Sequence, residues 1–367
     1  MATALINVLL ASNVYSAPTN PHNMTCFLPA DCNDPRNYRM MWGIVYSCLL
    51  TMFACIWTAV HPDLSQSYGT SVFKSHVSLM IISLVVPEWT LAFAWGQFMI
   101  SQRISEKCEM VEGWTLTHSY FVVMNGFFDP SEGSVVGPND LQEYPGIIEN
   151  TGDTRKVAIT KKEILDRSKS DAFSKSLIVL QLLWFITQYV GRWAGHLHIS
   201  QLETMTLAYA ALCLVLYVLW WDKPVNIQFP IHVTQQSSPM NVNQPPKRTD
   251  TDPIVFDSNE LDAPILAATG VIFGGIHCLA WSFPFPTHTE MILWRVSVIS
   301  ITVAPTFLLL IVWFASHNIS GSILALGPVV YTAARAILVV LTFTSLRSPP
   351  PSLYQTPSWS SFFPHFG

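Results

Sequence analysis

Seven apolar stretches, at residues 41–60, 77–100, 174–190, 202–221, 263–283, 291–315 and 323–346, alternate with polar segments along this chain of 367 residues. Each is close to the ~20 residues a helix needs to cross ~30 Å of hydrocarbon. The pattern predicts an all-α fold, a polytopic transmembrane helical bundle of about seven spans over residues 41–346. In lipid every backbone N–H and C=O must be satisfied inside the protein, and helices do this segment by segment.

The polar segments divide the rest. Residues 1–16 form a short apolar run with a small-residue ending, readable as a signal peptide or as a short eighth apolar helix; the basic residues that open a signal peptide are missing. Residues 17–40 are polar. The longest insertion, 101–173, has a middle, Asp129 to Asp153, rich in Gly, Pro, Asp and Asn, which reads as loop. Thr160 and Glu163 then stand at capping-box spacing and predict a helix start. Glu163 and Arg167 form an i,i+4 pair there, and Ile164 and Leu165 are placed to rest on the bilayer or the bundle. The second insertion, 222–262, holds a run from Thr234 to Asp252 too polar to order itself. The tail, 347–367, joins a proline run to Trp359, Phe362, Phe363 and Phe366, suited to the headgroup layer.

Composition sharpens the class. Half the residues are hydrophobic and only 12% are charged, against about 25% charge in soluble domains. A net charge of -5 argues against a nucleic-acid partner, which needs clustered Lys and Arg. Cys48, Cys55, Cys213 and Cys278 lie in apolar stretches and read as small hydrophobes. Cys26 and Cys32 precede the first span, where a disulfide implies an oxidising lumen.

Orientation signals conflict. Seven alternating spans put both insertions and residues 17–40 on one face, with fourteen Lys and Arg against three opposite, which assigns that face to the cytoplasm. Cys26, Cys32 and the glycosylation triplets at Asn23 and Asn318 assign the same face to the lumen.

The candidate chemistry centres on Glu88, in Val85-Val86-Pro87-Glu88-Trp89, near the middle of the second stretch. A carboxylate at that depth is costly and normally faces a cavity or a partner. Burial favours its neutral form, which makes it a candidate general acid. Pro87 is placed to kink the helix beside it. Arg335, comparably deep in the last stretch, is the alternative ion-pair partner, and His277, after Gly274 and Gly275, is a third candidate catalytic residue. No pair of histidines has metal-ligand spacing on one helix, so neither a metal nor a cofactor is expected. Trp57, Trp89, Trp95, Trp184, Trp220, Trp221, Trp281 and Trp294 are interfacial anchors unless a subset turns inward around Glu88, where ring faces stabilise a cation. There is no phosphate loop, dinucleotide fingerprint, nucleophile elbow or paired Asp-rich diphosphate motif.

The blocks Trp57-Thr58-Ala59-Val60-His61-Pro62, Gly113-Trp114-Thr115, Glu163 to Asp171 and Leu219-Trp220-Trp221-Asp222-Lys223-Pro224 together resemble a large fungal family of multi-span membrane proteins, most without assigned activity. The chain is also similar in kind to the fungal transmembrane terpene cyclases of ascochlorin and ascofuranone type pathways. That resemblance implies a multi-pass endomembrane enzyme of secondary metabolism, acting on a lipophilic prenylated substrate among membrane lipids. The competing expectations are a seven-span transporter or receptor-like protein, and a noncatalytic scaffold recruiting partners through the helix from Thr160.

Overall fold

The apolar stretches are largely helical in the computed structural model, which describes residues 39–64, 72–152, 154–168, 172–225, 227, 229–235, 258–314 and 321–356. The helices are α1 (Met41–Ala59), α2 (Val72–Val85), α3 (Pro87–Lys107), α4 (Leu116–Val123), α5 (Lys161–Asp166), α6 (Ala172–Ala194), α7 (Gln201–Leu219), α8 (Ser258–His277), α9 (His288–Phe314) and α10 (Gly321–Thr344). Among the described residues four helices, α1, α7, α9 and α10, are long and apolar enough to cross a membrane, and a bent pair, α2 with α3, makes up to five. The signal-peptide reading of 1–16, the Cys26 and Cys32 pair, Asn23, Asn318 and the tail aromatics lie outside the described residues.

The chain divides into two compact units. Unit 1 comprises residues 1–58, 176–214 and 267–367. Within it α9 packs along α10, and close approach of α8 to α9 depends on glycine. A Cβ on Gly274 would lie 1.9 Å from Thr302 Oγ1, and one on Gly270 would lie 2.8 Å from Pro305 Cγ. Only the missing side chain lets these backbones meet.

Unit 2 comprises residues 59–175 and 215–266, and it departs from the all-α expectation. The stretch from Asp129 to Asp153 is not plain loop. Strands β1 (Val111–Glu112), β2 (Phe127–Asp129), β3 (Ser134–Val135), β4 (Ile148–Thr151), β5 (Thr154–Val157) and β6 (Ile231–His232) form two three-stranded sheets, β1-β5-β4 and β3-β2-β6. Because β6 pairs in parallel with β2, the second insertion begins as part of the first one's fold. Both feed one core of Ile104, Phe121, Phe127, Ile148, Ile164 and Ile231, with Phe121 and Phe127 edge to face at 4.9 Å. Strands of two to four residues leave no alternation to read, and their Gly-Pro-Asp turns dominate the composition.

The capping box forms as the spacing predicts: Thr160 N donates to Glu163 Oε2 at 2.7 Å, and Glu163 N to Thr160 Oγ1 at 3.3 Å. Ile164, however, is buried in this core rather than against lipid. Gly113 turns β1 toward α4 with φ +86°, a conformation natural to glycine. Trp114 Nε1 then donates to Ser119 Oγ at 2.9 Å.

Candidate functional site

Glu88 lies at a helix start, not in mid-span. The second apolar stretch breaks at Val86, and α2 and α3 bend by 118°. Proline explains the break: it has no N–H to continue α2, its ring disfavours helical geometry at Val86, and its fixed φ suits the first position of α3. Val86 accordingly takes φ -133° and ψ 71°. Ser83 Oγ and Thr90 Oγ1, 2.9 Å apart, join the two arms across the bend. Glu88 is thus an acidic residue in the first turn of α3, where exposed N–H groups and the helix dipole favour negative charge. It is 1% exposed.

The same unit holds a buried polar network that sequence reasoning missed. Lys223, after α7, donates from Nζ to His61 O at 2.9 Å, to Asp63 Oδ1 at 2.8 Å and to Gln97 Oε1 at 2.9 Å. Gln97 Nε2 in turn donates to both Asp63 oxygens, at 3.0 and 2.8 Å. All three ammonium donors are used. Burial pushes the Lys223 ammonium below its ordinary range while Asp63 pulls it back up. His61 is held well below its usual value by burial first, and then by the charges of Lys175 and Lys223.

Aromatic rings extend this network. Lys223 Nζ lies 4.5 Å from the Trp220 ring, which also meets His61 at 6.0 Å and the edge of Phe93 at 6.4 Å. Phe93 stacks on Trp89 at 5.5 Å. Lys175 Nζ donates to Trp221 O at 2.9 Å and Lys223 O at 3.3 Å, satisfying carbonyls past the end of α7. Lys161 pairs with Asp222 at 3.3 Å, and Ser168 Oγ donates to Val225 O at 2.9 Å. The distinctive sequence blocks around His61, Trp114, Ser168 and Lys223 therefore share one folded unit. That blockwise distinctiveness was the available signal, but Lys223 read as an ordinary loop cation.

His118 has a defined tautomer. Thr115 N donates to its Nδ1 at 3.1 Å, so Nδ1 is unprotonated, and Nε2–H donates to Ile159 O at 2.9 Å. The imidazole completes the capping box of α4, and burial lowers its pKa.

The other two candidates, His277 and Arg335, occur together in unit 1. The Arg335 guanidinium lies 4.5 Å over the Phe273 ring and 5.5 Å from that of Tyr209, and donates to the Tyr209 hydroxyl. The His277 ring is tilted against the same Phe273 ring at 4.7 Å and against that of Trp294 at 6.2 Å. Tyr209, Phe273 and Trp294 are therefore additions to the site read from sequence.

Unit 1 also fastens the start of the bundle to its tail. Arg39 donates to Glu203 at 2.6 and 3.2 Å, and to Leu353 O at 2.8 Å, while its backbone N–H donates to Tyr354 O at 2.7 Å. Arg192 donates to Gln355 O at 2.6 Å and Leu353 O at 3.0 Å. Ser200 N donates to Glu203 Oε2 at 2.8 Å, fixing the carboxylate that receives Arg39.

Among the described residues no group of three or more His, Cys, Asp or Glu side chains is disposed to hold a metal ion. A model of the family of unknown function DUF8562 matches residues 7–242 and 317–366. No curated protein and no solved structure matches the chain.

Proposed function

Because the chain belongs to DUF8562, a family of unknown function, we propose a role from its own residues: a membrane-embedded terpene cyclase of fungal secondary metabolism. The observation that carries it is the buried carboxyl of Glu88 at the break between α2 and α3, in a unit whose Trp89, Phe93 and Trp220 rings form a continuous series. This reaction needs Glu88 in its neutral form, which burial favours against the pull of the helix start; from it a proton passes to an epoxide oxygen of a lipophilic prenylated substrate. The C–O bond opens to a tertiary cation, an alkene electron pair closes the ring, and a proton lost from the product cation returns to the carboxylate. The product is an isomer of the substrate, with no oxidant or reductant required. Broken helices in membranes are buried in protein or line a cavity, and ring faces stabilise a cation.

The proposed topology adds α6 and α8 as crossings to the four helices long and apolar enough to span, α1, α7, α9 and α10, and takes α2 and α3 as a re-entrant hairpin. Arg39, before α1, bonds Tyr354, ten residues beyond α10. Seven of those ten residues are in 3-10 turns, too short a path to recross ~30 Å. The number of crossings between bonded ends is even. His61 and Gln97 both meet Lys223, so the chain enters and leaves the hairpin on one face. With the basic insertions on the cytoplasmic side, as their Lys and Arg favour, this topology expects glycosylation at Asn23 and none at Asn318.

The test is Glu88→Gln in microsomes fed the compound that accumulates when the gene is deleted. We expect wild type to form an isomer of equal mass, and the variant, at normal membrane levels, to lose about 100-fold or more of that rate. Retained turnover would sink the assignment. The 118° break also favours a second reading, a transporter with Glu88 in its ion path. Deletion that alters only export would support that one.

A further inference from the structure

Unit 1 contains two buried polar atoms with complementary needs. His277 Nδ1 lies 2.8 Å from Phe273 O. A carbonyl only accepts, so Nδ1 carries the proton and Nε2 presents a lone pair. That Nε2 and Trp294 Nε1–H have no hydrogen-bond partner among the described residues. Both side chains are 0% exposed, and buried polar atoms are almost always paired because leaving one unmade is expensive. One atom requires a donor and the other an acceptor.

We infer that His277 and Trp294 form a binding site for the hydroxyl of a lipophilic alcohol or phenol. The ring centroids are 6.2 Å apart, and the proposed oxygen lies between the two nitrogens at about 2.9 Å from each. A hydroxyl donates to Nε2 and accepts from Trp294 in the same position. A carbonyl or ether serves only Trp294, and an ammonium serves only His277. The remaining walls are aromatic: Phe285 lies 5.8 Å from Trp294, and Tyr209 meets Phe273 edge to face at 5.4 Å. The Arg335 guanidinium covers Phe273 at 4.5 Å, holding the ring against which His277 is tilted. The carbon body of the ligand therefore meets rings, and its single polar group meets the two nitrogens.

The experiment is calorimetric titration of the purified full-length protein in detergent with 4-ethylphenol, 4-ethylanisole and 4-ethyltoluene. These probes share a shape and differ in whether the polar atom donates and accepts, only accepts, or is absent. The phenol is expected to bind about fivefold more tightly than the anisole, the factor for one net hydrogen bond. Trp294→Phe should weaken the phenol about fivefold and leave the toluene unchanged. Glu88→Gln should leave all three affinities unchanged, which separates this site from the proposed reaction. Equal affinity for phenol and anisole, or no binding of any probe, would overturn the proposal and assign the two nitrogens to a buried water. The comparison of probes on the wild-type protein decides this even where a variant fails to fold.

Discussion

Lys223→Met removes the ammonium at the centre of the unit 2 network and keeps most of the stem's bulk. Three acceptors lose a charged donor: His61 O, Asp63 Oδ1 and Gln97 Oε1. A buried acceptor left unsatisfied costs about 1–3 kcal/mol, and taking the middle of that range for His61 O and Gln97 Oε1 gives about 3–4 kcal/mol. Asp63 is 25% exposed, so water recovers part of its loss and it adds about 1 kcal/mol at most. Relief of the buried charge offsets part of this, since burial already disfavours the Lys223 ammonium. The net expectation is a loss of about 3 kcal/mol, or roughly 6–12 °C in unfolding temperature for a unit of this size. The assay is thermal unfolding in detergent at fixed scan rate, beside Asp63→Asn and the double variant. The double variant should lose less than the sum of the singles, because each single strands the other's partner. A Lys223→Met shift below 2 °C, or strict additivity, would refute the network as a stabilising element.

Two further outcomes are expected. His118 accepts from Thr115 only while Nδ1 is unprotonated, and burial lowers its pKa. Its contribution is therefore complete above the ordinary histidine value of about 6.5 and lost as pH falls below it, with a slope of at most about 1.4 kcal/mol per pH unit. Unfolding measured from pH 7.5 to 5 should be less pH-sensitive in His118→Gln than in wild type, and identical slopes would exclude this role. For the six-crossing topology, glycosidase treatment should speed the gel migration of wild type but not of Asn23→Gln, while Asn318→Gln matches wild type. Modification at Asn318 instead would invert the assignment.

The legible parts of this molecule were those written in local sequence. Helices follow from the apolar stretches, though the second breaks into two, and Thr160 with Glu163 announces α5 because both halves of that cap lie within one turn. Pro87 announces a kink but not its size, since a 118° break depends on what receives α3 after it turns. The hydrogen bond between residues 39 and 354 spans a separation no window of sequence covers. Lys223 was illegible for the same reason: its three acceptors come from residues 61, 63 and 97. The strands stayed hidden because their partners lie across turns or, for β6, about a hundred residues away. His277 and Arg335 were legible as buried polar residues, but Trp294 became informative only once its N–H was seen without a partner.

The clasp of Arg39 and Arg192 on residues 352–355 gives the bundle a property of rings rather than of strings. With the first and last helices among the described residues fastened end to end, the order of the helices has no intrinsic beginning. A chain rejoined across the clasp and reopened within a loop would keep the same neighbours in a different order, since closely placed ends tolerate such permutation. Tension applied at the two ends would likewise load the hydrogen bonds of Arg39 before any helix, so the clasp is where mechanical opening of this bundle begins.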